Sequence, residues 1–173
     1  MKNYFFVMYG VAFVALTKGY WMMVDWFDLP IIALFRWCVA TSLGKVYVTT
    51  SVPGAKPRKQ VYLHRLLLGI TDGKVKVDHS DGSGLNNKRS NLRRATHAEN
   101  MHNQKLNIKS TTGFKGVSPA KEAGQFQSYI HVNGKMIYLG CRPTAEQAAA
   151  LYDAAAIKYH GAFARTNQML QAA

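Results

Sequence analysis

Cysteine is scarce in this chain: only Cys38 and Cys141 occur among 173 residues, and they lie far apart in the sequence. Neither belongs to a Cys-x-x-Cys pair, so a structural zinc knuckle is not indicated and no zinc is expected. Two isolated cysteines do not form a disulfide framework either. A reducing cytoplasm therefore suits the chain.

Apolar runs of membrane-spanning length are also missing. The run from Tyr4 to Leu16 is shorter than the roughly 20 residues that a transmembrane helix needs. With the charged start at Lys2 it loosely resembles a signal peptide; the alternatives are a buried first strand or an extension upstream of the domain. We expect a cytoplasmic protein, in a bacterium or a phage-infected host cell, with no export and no membrane partner.

Acidic residues are few, at 9 against 22 lysines and arginines, which gives a net charge of +13. The excess is greatest in the middle of the chain, where residues 41–110 hold 13 basic and 4 acidic side chains. Such a charge favours a polyanionic partner, with nucleic acid first and an anionic membrane surface second. The alternative is a basic, solvated surface without a target. The hydrophobic fraction of 48% is sufficient for a real core.

The alternation of apolar and polar residues predicts an α+β fold. Residues 1–60 are apolar and aromatic and form a strand-rich N-terminal module, with a strand over 45–50 and a loop over 51–59. The first ~13 residues are an extension whose role is open. The buried element over 61–69 is short enough to be either a helix or a strand.

The middle of the chain predicts a strand, a loop, a short strand and a helix. Alternation over 75–79 is typical of a strand, and 82–89 is rich in turn residues. Thr96 and Glu99 have the spacing of a capping box, which predicts a helix starting at Thr96.

The last third predicts a linker over 107–112, a three-stranded antiparallel meander and a long helix. The strands are expected at 114–117, 126–132 and 136–140, with Asn133-Gly134 as a tight hairpin turn. The alanine-rich helix should begin at Thr144, run to about His160 and stop at Gly161.

Hydrolysis of a phosphodiester needs an activated water and stabilisation of charge on the phosphate. His79 can take a proton from water, and Asn91 can fix either this base or its loop by hydrogen bonds. Asp78 offers a carboxylate and Asn100 an amide oxygen, the donor types that Mg²⁺ prefers. Neighbouring strand residues point to opposite faces, so Asp78 and His79 can serve one site only near a strand end or bulge.

The ordered set from Asp78 to Asn100 has the pattern D-H-x-D-G-x-x-L-N-N-x-x-x-N-L-R-x-x-T-x-x-E-N. It resembles the HNH endonucleases, specifically the phage-type branch related to homing endonucleases. The resemblance implies a ββα-metal core over 61–106, with His79 and Asn91 catalytic and Asp78 and Asn100 binding a divalent metal, Mg²⁺ or alternatively Mn²⁺. His64 is either a lining residue of this site or a core or surface histidine. DNA contacts are expected from the nearby cations Lys88, Arg89, Arg93 and Arg94.

Residues 113–167 resemble the ethylene-response-factor (Apetala-two type) DNA-binding domain, through G-F-K-G-V, N-G-K, I-Y-L-G and G-A-F-A-R-T-N. The resemblance implies a three-stranded sheet that enters the major groove, with one helix packed behind it. Several arginines and both tryptophans of the plant pattern are replaced, so phosphate contact and a looser base preference are expected. The aromatics Phe126 and Tyr138 are either DNA contacts or core residues. The implied DNA contacts are Lys115, Ser118, Phe126, Gln127, Tyr129, Lys135 and Tyr138.

Taken together, these patterns predict a metal-dependent HNH endonuclease, homing-like in type, that nicks or cuts double-stranded DNA. A C-terminal sheet-based domain would tether the nuclease core to DNA, and no obligate protein partner is evident. The alternative is a non-catalytic, sequence-specific DNA-binding regulator of transcription that keeps both folds.

Overall fold

The computed structural model describes residues 3–42, 44–52, 54, 60–104, 106 and 110–172. One compact unit ends at Thr96, and a second begins at His97. Strands and helices are mixed in both units, as expected for the α+β class. Within the described ranges, no helix is both long enough and apolar enough to span a membrane.

The first unit contains three antiparallel sheets whose strands pair in chain order. Short helices separate them: α1 (Leu29–Ala33) lies between the first two sheets and α2 (Leu63–Leu67) between the last two. The strands are β1 (Phe5–Met8), β2 (Val11–Ala15) and β3 (Trp21–Asp25); β4 (Cys38–Ser42), β5 (Lys45–Ser51) and β6 (Gln60–Tyr62); and β7 (Lys76–His79) with β8 (Leu92–Ala95).

A single hydrophobic core holds these sheets together. It takes residues from the N-terminal sheet, from α1, β5 and α2, from β8 of the last hairpin, and from two connecting segments: Ala12, Val14, Leu16, Met22, Val24, Ile32, Trp37, Val48, Leu63, Leu67 and Leu92. The segment before residue 60 and the β7–β8 hairpin therefore fold as one unit, although the sequence pattern separated them. Strands β1 and β2 belong to this unit, so the segment expected to be an extension is part of a sheet.

The second unit begins with α3 (His97–His102), followed by a three-stranded antiparallel meander. The strands are β9 (Val117–Pro119), β10 (Phe126–Val132) and β11 (Lys135–Arg142). The helices α4 (Ala145–His160) and α5 (Asn167–Gln171) follow them. Alanines 148, 149, 155 and 156 of α4 are buried, which lets this helix lie close to the sheet.

Several local signals act as the sequence predicts. Thr144 caps α4 by accepting a hydrogen bond from the backbone N–H of Gln147, and Gly161 ends the helix with φ +51°. Asn133 and Gly134 have φ of +51° and +77° and form the hairpin turn between β10 and β11.

Other elements differ from the expectation. The first strand of the meander begins at Val117 and not at residue 114, because residues 115 and 116 form a turn in which Gly116 has φ +73°. The element over 61–69 contains both alternatives, the end of β6 followed by α2. The expected loop over 51–59 and the linker over 107–112 lie partly outside the described residues.

Candidate functional site

Asp78 and His79 are the last two residues of β7, and both are buried, with exposed fractions of 5% and 6%. Strand β7 pairs with β8 so that Asp78 lies opposite Arg93 and His79 opposite Leu92. Because the strand ends at His79, Asp78 and His79 lie at a strand end, where two neighbouring residues can serve one site.

His79 contacts two side chains from different parts of the first unit. Its Nε2 lies 3.4 Å from Oδ1 of Asn87, and its ring meets the ring of His64 edge-on with centroids 5.2 Å apart. Burial lowers the pKa of His79, while the hydrogen bond with Asn87 and the charges of Asp81 and Asp78 act in the opposite direction. The imidazole is therefore favoured in its neutral form, which can accept a proton.

His64 lies on α2 and is buried beside the rings of Tyr47 and Tyr62, at centroid distances of 5.9 and 5.5 Å. Burial, His79 and Arg65 lower its pKa to about 3. Within the described part of the chain, Nδ1 of His64 is buried without a hydrogen-bond partner. Of the alternatives that the sequence left open, the structure places His64 against His79.

Asp78 forms an ion pair with Arg93. Its Oδ2 accepts from Nε of Arg93 at 2.7 Å and from Nη2 at 2.5 Å. This two-point contact orients the buried carboxylate and keeps a cation beside it. Arg93, which the sequence predicted as a DNA contact, is thus engaged with the carboxylate of the site.

Asn91 fixes the loop between β7 and β8. Its Nδ2 donates to Oδ1 of Asp81 at 3.0 Å and to the carbonyl of Asn86 at 2.8 Å, and its Oδ1 accepts from the backbone N–H of Asp81. The sequence left open whether Asn91 fixes His79 or the loop, and these hydrogen bonds are to the loop. Its effect on His79 would then be indirect.

Asn87 is a member of the site that the sequence pattern did not single out, since it falls in the turn-rich stretch over 82–89. Its side chain is fully buried and faces His79. The turn-rich composition of residues 82–89 gave no sign that this asparagine is buried. Periodicity cannot show that burial, because Asn87 lies in a loop.

Arg89 is held within the first unit by an ion pair with a buried carboxylate. Its Nη2 lies 2.8 Å from Oδ1 of Asp28, Nε donates to both carboxylate oxygens, and Nη1 donates to the carbonyl of Leu67 at 2.9 Å. Arg94 donates to the carbonyl of Leu68 at 3.3 Å. These contacts give both arginines a structural role beside the predicted DNA contact, which stays a prediction, as does that of Lys88.

Asn100 lies on α3, in the second unit. Lys115 supports this helix by donating from Nζ to the carbonyls of His102 and Gln104 at 2.6 and 3.0 Å, the position of a C-terminal helix cap. The rings of His102 and His160 stack with centroids 3.6 Å apart. Burial lowers the pKa of Lys115 to about 8. Its ammonium thus binds backbone within the unit.

The donors predicted for a metal suit a hard divalent cation, since a carboxylate and an amide oxygen match Mg²⁺, which usually keeps several waters. No three His, Cys, Asp or Glu side chains cluster as a metal site among the described residues. The predicted pair, Asp78 and Asn100, contains only one of these four residue types. The ligand set therefore remains a prediction.

The C-terminal sheet has one face against α4 and one face away from it. Ser128 and Ile130 are buried on the α4 side, so the alternate residues of β10 lie on the other face. The outer face includes the predicted residues Ser118, Gln127, Tyr129 and Tyr138, together with His131 and Met136, which the sequence pattern did not indicate. Nε2 of Gln127 donates to Oγ of Ser118 at 3.0 Å.

The two aromatics left open by the sequence take different positions. Phe126 is partly buried and packs against the cluster of Val117, Ala148 and Ala149, the position that its core alternative describes. Tyr138 is 60% exposed on the outer face. Lys135 is exposed at the start of β11, beside the hairpin turn.

The chain is 30% identical over 169 residues to an uncharacterized HNH endonuclease of Acanthamoeba polyphaga mimivirus, covering 95% of this chain and 86% of the viral protein. It is 32% identical over 109 residues to Protein 3.8 of Escherichia phage T7, covering 63% of this chain and 89% of the phage protein. Over 54 residues it is 43% identical to APETALA2-like protein 2 of Oryza sativa, covering 31% of this chain and 12% of the plant protein. No family model matches the chain, and no solved structure matches it significantly.

Proposed function

This chain belongs to the HNH endonuclease family, and from that premise we propose that it is a metal-dependent endonuclease that nicks or cuts duplex DNA. The observation that carries the proposal is the environment of His79. A buried, neutral imidazole lies at the end of a strand, beside the oriented carboxylate of Asp78 and in contact with Asn87 and His64. Such an arrangement suits a general base.

His79 has one role in the reaction. It takes a proton from a water molecule, and the oxygen of that water forms a bond to phosphorus while the bond from phosphorus to the 3′ oxygen breaks. The departing oxygen receives a proton from solvent. Asn91 contributes by holding the loop that follows His79.

A divalent metal, Mg²⁺ or Mn²⁺, supplies positive charge that stabilises the phosphate and the departing oxygen when it is bound. By the family resemblance, Asp78 and Asn100 would bind it. Arg93 keeps the carboxylate of Asp78 oriented for this task.

The outer face of the C-terminal sheet would bind the DNA. Tyr138, Met136 and Gln127 present aromatic, apolar and amide groups, which can contact base edges and thymine methyl groups in a major groove. A weak binder linked to a cutter raises the local concentration of the nuclease on its substrate. The similarity of 54 residues of the chain to an APETALA2-like protein supports this assignment.

A plasmid assay tests the proposal. Supercoiled DNA is incubated with wild type, His79→Ala and His97→Ala, in Mg²⁺, in Mn²⁺ and in EDTA. Loss of the general base in His79→Ala should lower the cleavage rate by roughly 10²- to 10⁴-fold. His97, an exposed histidine of α3, is the matched control, and its variant should cleave like wild type. Relaxed product alone would indicate nicking, and linear product a double-strand cut.

The second candidate is a non-catalytic DNA-binding regulator, which the local similarity to an APETALA2-like protein favours. It predicts a gel shift in EDTA without breakage in any metal, and no difference between wild type and His79→Ala. A full set of such results on plasmids containing host or phage sequence would replace the nuclease proposal with this one.

A further inference from the structure

The side chain of Asn87 has a further role, and this inference rests on the proposed nuclease function. We propose that Asn87 is a positioning residue that fixes His79 as the Nε2–H tautomer, so that Nδ1 is the atom that accepts the proton from water. The N-terminal sheet holds Asn87 in place for this task.

The orientation of the Asn87 amide is set by a second hydrogen bond. Its Nδ2 donates to the carbonyl of Gly84 at 3.2 Å, which directs Oδ1 toward Nε2 of His79 at 3.4 Å. An amide oxygen has no hydrogen, so the imidazole must be the donor of this bond. A neutral imidazole has one N–H, and donation from Nε2 therefore leaves the lone pair on Nδ1.

The backbone of Asn87 is fixed as firmly as its side chain. Its N–H donates to the carbonyl of Met23 at 2.8 Å, and the N–H of Met23 donates to the carbonyl of Leu85 at 2.9 Å. Met23 lies on β3, so the N-terminal sheet holds the loop from both sides of Asn86. The side chain of Asn87 has an exposed fraction of 0%, so any rotation of it would displace neighbouring buried atoms. The sequence left the role of the N-terminal segment open, and in this proposal the N-terminal sheet supports the general base His79.

His64 limits the ring of His79 from a second direction. The two rings meet at an angle of 85° with centroids 5.2 Å apart, and Tyr62 lies behind His64 at 5.5 Å. A hydrogen bond fixes which nitrogen has the proton, and the ring contact fixes where the ring points. A general base needs both.

The first test reads the tautomer of His79 directly. Long-range ¹H–¹⁵N spectra of the full chain, labelled with ¹⁵N-histidine, distinguish a protonated from an unprotonated ring nitrogen at neutral pH. The signals of His79 are identified by their loss in His79→Ala. We expect an unprotonated Nδ1 and a protonated Nε2 in wild type. The opposite pattern in wild type would overturn the proposal without any variant.

Variants of the loop then separate positioning from folding. Asn87→Leu removes the acceptor and should lose the single tautomer, with kcat lower by about 10- to 100-fold and KM nearly unchanged. Asn87→Asp keeps an acceptor oxygen for Nε2 and removes the donor to Gly84, so Nε2 should stay protonated in this variant. Asn86→Ala is the matched control, because the Asn86 side chain bonds Asp81 and not His79. Its spectrum should show the wild-type tautomer.

The outcomes distinguish this inference from the proposed function. A folded Asn87→Leu with the wild-type tautomer and the wild-type kcat would overturn the positioning role. If wild type never cleaves DNA but Asn87→Leu still changes the His79 tautomer, the structural role of Asn87 stands and the nuclease proposal fails.

Discussion

In the first unit the residues proposed for cleavage are buried and held by hydrogen bonds, whereas in the second unit those proposed for DNA contact lie on an exposed sheet. Asp78, His79 and Asn91 are each less than 8% exposed, while Met136 and Tyr138 are 66% and 60% exposed. A reaction needs a few atoms at fixed positions, and burial supplies that precision. Groove binding needs accessible side chains that can adapt to the duplex.

The two units also use their charged side chains differently. The first unit places Arg89 and Arg93 in ion pairs with buried aspartates, Asp28 and Asp78. In the second unit, the ammonium of Lys115 is bound to the backbone carbonyls of His102, the last residue of α3, and of Gln104. Positive charge in the sequence is therefore a poor guide to DNA contact here, because part of it serves the fold.

Arg89→Met gives the largest expected change in stability. It leaves the carboxylate of Asp28, 2% exposed, without its guanidinium, which should lower the free energy of unfolding of the first unit by about 2–3 kcal/mol, a value reduced by solvent screening because the Arg89 side chain is 42% exposed. Arg94→Met is the matched control and should cost less than about 1 kcal/mol, because Arg94 is exposed. Urea denaturation measures both. If Arg89→Met weakened DNA binding but kept the stability of wild type, Arg89 would be a DNA contact and not a structural residue.

A pair of glycines tests how closely the second unit is packed. A Cβ at Gly116 would lie 2.0 Å from the ring of Tyr152, whereas one at Gly134 has nothing within 4 Å, and both residues have positive φ. Gly116→Ala should therefore be less stable than Gly134→Ala by about 1–3 kcal/mol. Thermal unfolding of the two variants, compared with wild type, measures the difference. Equal stabilities would mean that Tyr152 moves aside freely.

Acidification should destabilise the first unit through His64. Burial, His79 and Arg65 lower the folded pKa of His64 to about 3, while the unfolded chain has its ordinary value near 6.5. Between pH 6.5 and pH 3, His64 is therefore protonated in the unfolded chain but neutral in the folded protein. The contribution of neutral His64 is complete above pH 6.5 and is lost as pH falls toward 3, by about 2 kcal/mol at pH 5.

The control for this pH dependence is His64→Phe, which keeps a ring beside His79 and removes the titrating nitrogen. Urea midpoints at pH 5 and pH 8 should differ less in this variant than in wild type. The same pH dependence in both proteins would assign the effect to other groups.

The smallest expected effect lies on the exposed sheet. Tyr138→Ala should weaken DNA binding about tenfold, or about 1.4 kcal/mol, and should leave the stability of the unit nearly unchanged. Tyr159→Ala is the control, since Tyr159 is partly exposed on α4, the helix that packs behind the sheet. Titration by fluorescence anisotropy in EDTA compares the two. Equal losses in both variants would argue against the outer face as the DNA surface.

Local signals made much of the fold predictable. The strand ending at His79, the hairpin at Asn133-Gly134 and the helix from Thr144 to Gly161 depend on residues near each other in sequence, such as a cap, a positive φ or an alternation. The predicted border at residue 60 differed from the structure because the core between β2, β5, α2 and β8 joins segments far apart in the chain.

The sequence by itself determined which residue types are available for chemistry. The ordered set from Asp78 to Asn100 and the pattern of residues 113–167 are properties of chain order, and the family follows from them. Only the tertiary structure decided which of these residues meet. His64 comes to the ring of His79 from α2, and Asp28 comes to Arg89 across 61 positions of sequence. Asn87 is only eight positions from His79, but its backbone is fixed there by Met23 of the N-terminal sheet. Contacts of this kind leave no periodic signal, so no pattern of neighbouring residues can indicate them.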